Sequence, residues 1–142
     1  MHKYLRTALA LILGIAIGGG VNMALVILGP ILVAPPPGAD MASAEGLRAS
    51  MHLLEPRHFL MPFLAHAAGT FAGALAGSLI AVSHRSIVAY AIGIVFLCGG
   101  IAASFMIPAP TWFIVLDLVA AYLPMAWLGS SLAHRLKPQA AK

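Results

Sequence analysis

Long apolar runs separated by short polar segments make up most of this chain. A helix needs about 20 mostly apolar residues to cross the roughly 30 Å hydrocarbon core of a bilayer, because it rises about 1.5 Å per residue. The sequence contains four such runs and therefore predicts four transmembrane spans, at about 5–34, 59–82, 87–107 and 111–133. The first run is longer than a bilayer requires, so we expect that helix to tilt or kink.

The connections after the second and third predicted spans are very short. Only residues 83–86 and 108–110 separate the neighbouring spans, so consecutive helices have to run antiparallel. The predicted fold class is all-α, with four transmembrane helices in an antiparallel bundle. In this prediction residues 1–142 form a single integral-membrane domain.

The first outer loop, residues 35–58, is the long connection between predicted spans. Three consecutive prolines at 35–37 favour an extended start. Beyond them, apolar residues recur at i, i+3, i+7 and i+10, which is the spacing of an amphipathic helix. This stripe consists of Ala44, Leu47, Met51 and Leu54. We therefore predict a short amphipathic helix that lies in the outer interface of the membrane.

The composition excludes most soluble classes of protein. Hydrophobic residues make up 61% of the chain and charged residues only 8%, whereas a soluble domain carries roughly 25% charged residues. A small soluble domain cannot bury that much apolar surface. The net charge of +4 comes from eight scattered lysines and arginines, which form no patch for nucleic acid. We expect the lipid bilayer as the surroundings, no nucleic-acid partner and no cofactor.

The distribution of basic residues predicts the orientation. Cytoplasmic segments of membrane proteins carry an excess of lysine and arginine. Two arginines, Arg48 and Arg57, fall in the outer loop, and six basic residues fall on the opposite side: Lys3, Arg6, Arg85, Arg135, Lys137 and Lys142. The sequence therefore predicts that both termini are cytoplasmic.

A ladder of glycines marks one face of the second predicted span. Gly69, Gly73 and Gly77 recur at every fourth position, and Gly14 and Gly18 repeat that spacing in the first span. Small residues let transmembrane helices approach closely. The ladder has two readings: a contact between copies in a homo-oligomer, or packing between helices of one chain.

Polar side chains cluster at one depth of the predicted bundle. Asp117 and His66 each lie about six or seven residues, or about 10 Å, from the outer end of their spans. Asp117 is the acid within the predicted spans, where a carboxylate costs roughly 2.5–3.5 kcal/mol unless it faces inward and finds a partner. We predict a hydrogen bond between Asp117 and His66, with Asn22 as a third member. Thr70 and Ser104 lie at a similar depth.

The Asp117–His66 pair has a structural and a functional interpretation. As a structural contact, it is an interhelical hydrogen bond, typically worth about 0.6–2 kcal/mol in membranes. As a functional site, it is a proton relay or the floor of a small binding pocket. The sequence leaves both open.

A weaker candidate lies in the outer loop, where His52, Glu55 and His58 are spaced three apart. Imidazole and carboxylate suit zinc or copper. Pro56 interrupts any helix between them, and the spacing is not that of a tight zinc motif, so no metal site is predicted. Motifs for a nucleophile elbow, a phosphate loop or a dinucleotide fold are missing from the sequence, and we do not expect an enzyme.

Several segments together resemble a known group of sequences. These are the Pro-Pro-Pro-Gly segment 35–38, the segments 65–71, 107–113 and 122–129, and Asp117. The chain resembles a family of small four-span bacterial membrane proteins of unknown function. The resemblance implies a bacterial inner (cytoplasmic) membrane and transfers no activity and no catalytic residue.

Two functions are compatible with these features. The glycine ladder favours a non-enzymatic protein that acts by helix packing, as a homo-oligomer or as an accessory subunit of a larger membrane complex. The alternative is a small transporter or channel, in which Asp117 and His66 bind a proton, a cation or a small solute.

Overall fold

A computed structural model describes residues 3–137 of the chain. Lys142, which the sequence places on the cytoplasmic side, lies outside the described residues. Within the described range the secondary structure is helical, without strands. The α-helices are α1 (Lys3–Leu32), α2 (Ala44–Ser50), α3 (Leu60–Ile80), α4 (Arg85–Met106), α5 (Thr111–Ala120) and α6 (Leu123–Leu136).

Among the described residues, four helical segments are long and apolar enough to cross a membrane. They are Tyr4–Leu32, Pro56–Ile80, Arg85–Met106 and Thr111–Leu136. Each coincides with one of the four predicted spans. The chain therefore has the helices of a multi-pass membrane protein.

The fourth of these segments is broken near its middle. The sequence predicts one helix over about 111–133, whereas the structure ends α5 at Ala120 and begins α6 at Leu123. Between them Tyr122 has a non-helical backbone, with φ −115° and ψ −80°. Pro124 explains the break, because it has no N–H to donate and its ring clashes with the carbonyl four residues earlier.

The glycine ladder brings α1 and α3 into the most extensive helix contact among the described residues. A Cβ built on Gly18 would lie 2.6 Å from the carbonyl oxygen of Gly69, and one on Gly73 would lie 2.7 Å from that of Gly14. A Cβ on Gly77 would also press on α1, 3.2 Å from the Ala10 carbonyl oxygen. Of the two readings of the ladder, packing within one chain is the one present in this structure.

On its other sides α3 contacts α4 and α6. Alanines fill this junction: Ala74, Ala89 and Ala126 form a fully buried cluster. On α6, a Cβ added to Gly129 would lie 2.7 Å from the Phe71 carbonyl oxygen. Small residues thus let the backbones of α3 and α6 approach closely, as expected for helices packed in lipid.

The 35–58 loop is ordered around α2. The Ser43 side chain caps this helix by accepting a hydrogen bond of 2.9 Å from the Gly46 N–H. The Arg48 side chain reaches from α2 to the end of α4, where it donates to the Met106 carbonyl oxygen. The loop is therefore tied to the helices beneath it.

Candidate functional site

Asp117 accepts hydrogen bonds from α3 and from the break between α5 and α6. The residue is only 5% exposed, and its two carboxylate oxygens lie 2.9 and 3.0 Å from Nδ1 of His66 on α3. The Tyr122 hydroxyl donates to Oδ2 of Asp117 at 2.9 Å. The rings of His66 and Tyr122 stack, with their centroids 5.8 Å apart. We call these three residues the Asp117 triad.

The hydrogen bond that the sequence predicts between His66 and Asp117 is present in the structure. The third member differs, because Tyr122 occupies the place that the sequence assigned to Asn22. In a continuous helix, five residues would rotate Tyr122 about 140° away from Asp117, at about 100° per residue. The break between α5 and α6 turns the Tyr122 side chain back towards the carboxylate.

Gly100 on α4 makes room for the Tyr122 hydroxyl. A Cβ built on Gly100 would lie 2.3 Å from Oη of Tyr122, whereas one built on the neighbouring Gly99 would meet nothing within 4 Å. Tyr122 itself is 2% exposed. A glycine at position 100 is therefore a condition for the Tyr122–Asp117 hydrogen bond.

His66 is the member of the triad that stays partly accessible. Its side chain keeps 28% of its surface exposed, against 7% for the side chain of Asp117. When Nδ1–H donates to the carboxylate, the second ring nitrogen, Nε2, is an acceptor in the neutral ring and a donor in the charged ring. With an ionised Asp117 and a neutral Tyr122, the triad has charge −1 when His66 is neutral and charge 0 when His66 is protonated.

A cavity of about 250 Å³ adjoins the triad, and we call it the Asn22 cavity. Its lining comprises Asn22, His66, Gly69, Thr70, Phe96, Gly99, Gly100, Ala103 and Tyr122. The Oδ1 atom of Asn22 is buried and has no hydrogen-bond partner among the described residues. The cavity is therefore lined by Asn22 together with His66 and Tyr122 of the triad.

Thr70 and Ser104, the other members of the predicted polar layer, bond to their own helices. The Thr70 hydroxyl donates to the His66 carbonyl oxygen at 2.8 Å, and the Ser104 hydroxyl donates to the Ile101 carbonyl oxygen at 2.7 Å. Neither hydroxyl contacts the Asp117 carboxylate in these bonds. Their contribution is to line the cavities beside the triad.

A second cavity of about 240 Å³, the loop cavity, lies between the 35–58 loop and the triad. Its lining is mostly apolar and includes Leu47, Met51 and Leu54 of the loop, and it extends to His66 and Asp117. Three residues of the stripe that predicts an amphipathic helix therefore line this cavity. The two cavities share His66, Gly100 and Ala103.

The structure does not assemble His52, Glu55 and His58 into a metal site. Within the described residues, no group of three His, Cys, Asp or Glu side chains is placed to hold a metal ion. The Glu55 carboxylate instead pairs with Arg57 at 2.9 Å. Nδ1 of His58 accepts a hydrogen bond of 2.8 Å from the Glu55 backbone N–H.

Tyr122 is the site residue that sequence reasoning missed. The signal for it is Pro124, because a proline in the middle of a predicted span breaks or kinks the helix just before it. A tyrosine at such a break is free to point away from the regular helical direction.

No protein-family model, curated protein or solved structure matches this chain. The resemblance to small four-span bacterial membrane proteins stays a prediction, and the function has to be argued from the geometry of the site.

Proposed function

We propose that this protein is a small membrane carrier in which the Asp117 triad binds a cation in exchange for a proton. The observation that carries the proposal is a buried carboxylate beside a helix break, held by His66 and Tyr122 in a triad that lines two cavities. Ionisable groups inside a membrane are expensive and commonly mark transport pathways. Binding sites of transporters are typically formed where a transmembrane helix is interrupted.

In this proposal, the net charge of the triad couples cation binding to proton binding. With His66 neutral, the net charge of −1 attracts a cation into the adjoining cavities. Protonation of His66 brings the net charge to zero and weakens that attraction. A proton and a cation therefore compete for one site, which is the condition for moving them in opposite directions.

The membrane arrangement belongs to the same proposal. The four spans form an antiparallel bundle in a bacterial inner membrane, with the termini in the cytoplasm and α2 at the outer interface. The basic residues at the end of the molecule opposite the loop support this orientation. There the buried Arg85 side chain donates to the carbonyl oxygens of Ala81 and Lys137. That end carries the excess of positive charge expected on the cytoplasmic side.

The other function expected from the sequence, a helix-packing homo-oligomer or accessory subunit, rested on the glycine ladder. In this structure α1 covers the ladder of α3. The ladder therefore no longer favours a contact with a second copy. Helix packing as the sole function becomes the conclusion if the following experiment fails.

Proton movement in proteoliposomes tests the proposal. The protein is reconstituted with a pH-sensitive dye inside, and gradients of Na⁺, K⁺ or tetramethylammonium are imposed with and without a membrane potential. We expect proton flux above that of empty liposomes for at least one cation, and its loss in Asp117→Asn. Glu45→Gln, which removes an exposed acid of α2, is the matched control and keeps the flux.

Two results contradict the carrier. One is a flux that survives Asp117→Asn unchanged, because no other acid lies in the described spans. The other is a wild-type flux equal to that of empty liposomes under every gradient, with protein that remains folded by size-exclusion chromatography.

A further inference from the structure

The loop cavity is an apolar space beside a net negative charge. Its walls are mostly apolar, and it extends to His66 and Asp117. With an ionised Asp117 and a neutral His66 the triad carries charge −1, and no lysine or arginine of the described chain lines the cavity. Because electrostatic attraction is stronger in apolar surroundings than in water, this cavity favours an occupant with a positive charge.

The cavity presents few side-chain oxygen atoms to a metal ion. A bare metal ion exchanges its bound water for several oxygen ligands at once. Ser104 and Asp117 are the lining residues with oxygen in their side chains, and the Asp117 oxygens already accept hydrogen bonds from His66 and Tyr122. The positive charge therefore suits an organic cation better than an inorganic one.

Acceptors for N–H donors are scarce in the same cavity. A primary ammonium group has three N–H donors, each of which needs an acceptor. Nδ1 of His58, another polar lining residue, already accepts a hydrogen bond from the Glu55 N–H. A quaternary ammonium group carries the same charge with carbon substituents in place of N–H donors. It therefore fits this lining better than a primary amine.

The apolar lining suits the methyl groups of such an ion. Phe59 and Phe113 line the cavity, and their ring centroids lie 4.9 Å apart. Aromatic rings attract cations, and quaternary ammonium ions are commonly recognised by groups of them. At about 240 Å³, the cavity is smaller than the roughly 300–1,000 Å³ of pockets for drug-sized ligands, so the ion is small.

We propose that the loop cavity binds a small quaternary ammonium ion, with its methyl groups against the apolar walls and its charge beside the Asp117 triad. The attraction to Asp117 acts through space, so it requires no direct contact with a carboxylate oxygen. The inference rests on the proposed carrier function, to which it adds the class of cation. It predicts that tetramethylammonium, rather than Na⁺ or K⁺, drives the proton flux in proteoliposomes.

Binding is measured directly, apart from transport. The protein in uncharged maltoside micelles is titrated at mildly alkaline pH with choline, 3,3-dimethyl-1-butanol and 3,3-dimethylbutyrate. Saturation-transfer NMR follows binding, with empty micelles as the background. The three probes have nearly the same shape and are a cation, a neutral molecule and an anion. We expect saturable binding of choline, at least tenfold tighter than that of the alcohol, and no saturable binding of the carboxylate.

Variants of the triad and of the cavity wall assign the two parts of the site. Asp117→Asn removes the charge and is expected to weaken choline binding at least tenfold while leaving that of the alcohol unchanged. Met51→Trp fills the loop cavity and is expected to weaken choline binding at least tenfold. Leu53→Trp is the matched control, because Leu53 belongs to the same short 3₁₀ helix, Met51–Leu53, but does not line the cavity.

A gain of affinity keeps the test independent of folding defects. Met51→Ala enlarges the loop cavity and is expected to tighten the binding of tetraethylammonium, an effect that a misfolded protein cannot produce. Unchanged affinity of this variant for tetraethylammonium would contradict the assignment to the loop cavity.

Choline binding no tighter than that of the alcohol would overturn the inference, as would a Met51→Trp variant that binds choline as tightly as Leu53→Trp. Absence of choline binding also overturns it, and the carrier proposal stands if Na⁺ or K⁺ still drives an Asp117-dependent proton flux. Choline binding that depends on Asp117, without any flux, supports the ligand class and contradicts the carrier.

Discussion

Replacing Gly18 by alanine tests how closely α1 packs on α3. The added Cβ would lie 2.6 Å from the Gly69 carbonyl oxygen and 2.7 Å from the ring of Phe96. The carbonyl belongs to the backbone of α3, so one of the two helices has to shift. Overpacking of this kind typically costs about 1–3 kcal/mol.

Gly19→Ala is the matched control, because a Cβ at Gly19 would meet nothing within 4 Å. Alanine stabilises a helix interior by up to about 1 kcal/mol relative to glycine, and this gain is common to both variants. Subtracting one effect from the other therefore isolates the steric cost at Gly18. We expect the Gly18→Ala variant to be less stable than Gly19→Ala by about 1–3 kcal/mol.

The free energy of unfolding is measured by titrating the protein with SDS in mixed micelles. The fraction that survives a brief protease pulse reports the folded population at each SDS concentration. Equal stability of the two variants would refute the assignment of Gly18 to the α1–α3 contact. A less stable Gly19→Ala variant would contradict the orientation of α1.

Two further predictions concern Tyr122 and the loop. Gly100→Ala is expected to displace the Tyr122 hydroxyl and to lower Asp117-dependent proton flux at least tenfold, whereas the control Gly99→Ala keeps the flux. Equal flux in the two variants would contradict the role of Gly100. Arg48→Ala removes the hydrogen bond from α2 to the end of α4. We expect faster proteolysis within the 35–58 loop with little change in global stability. An unchanged cleavage rate would contradict the role of Arg48 in holding the loop against α4.

The four apolar segments could be predicted from the sequence because their lengths match the thickness of a bilayer. The His66–Asp117 contact could be predicted because equal distances from the outer ends of two spans place the two residues at one level, where a carboxylate needs a partner. Hydropathy is insensitive to a local break, so the interruption before Pro124 stayed hidden within one apolar run. Tyr122 was missed for the same reason.

The periodicity of the sequence also does not predict what the apolar side of a helix contacts. The spacing of Leu47, Met51 and Leu54 predicts a helix with one apolar side, and α2 covers the first part of that stretch. Periodicity does not distinguish an apolar side that faces lipid from one that lines a cavity. In the same way, the spacing of Gly69 and Gly73 predicts a close helix contact but not whether the partner is α1 or a second copy.

Nitrogen-15 NMR of His66 in lipid bilayers tests the central claim most directly, namely that Asp117 is held inside the molecule by a hydrogen bond from His66. With labelled histidine, we predict a protonated Nδ1 signal of His66 that moves in Asp117→Asn and stays in place in the Glu45→Gln control. A His66 Nδ1 signal that is the same in wild type and Asp117→Asn would contradict the triad and the carrier built on it.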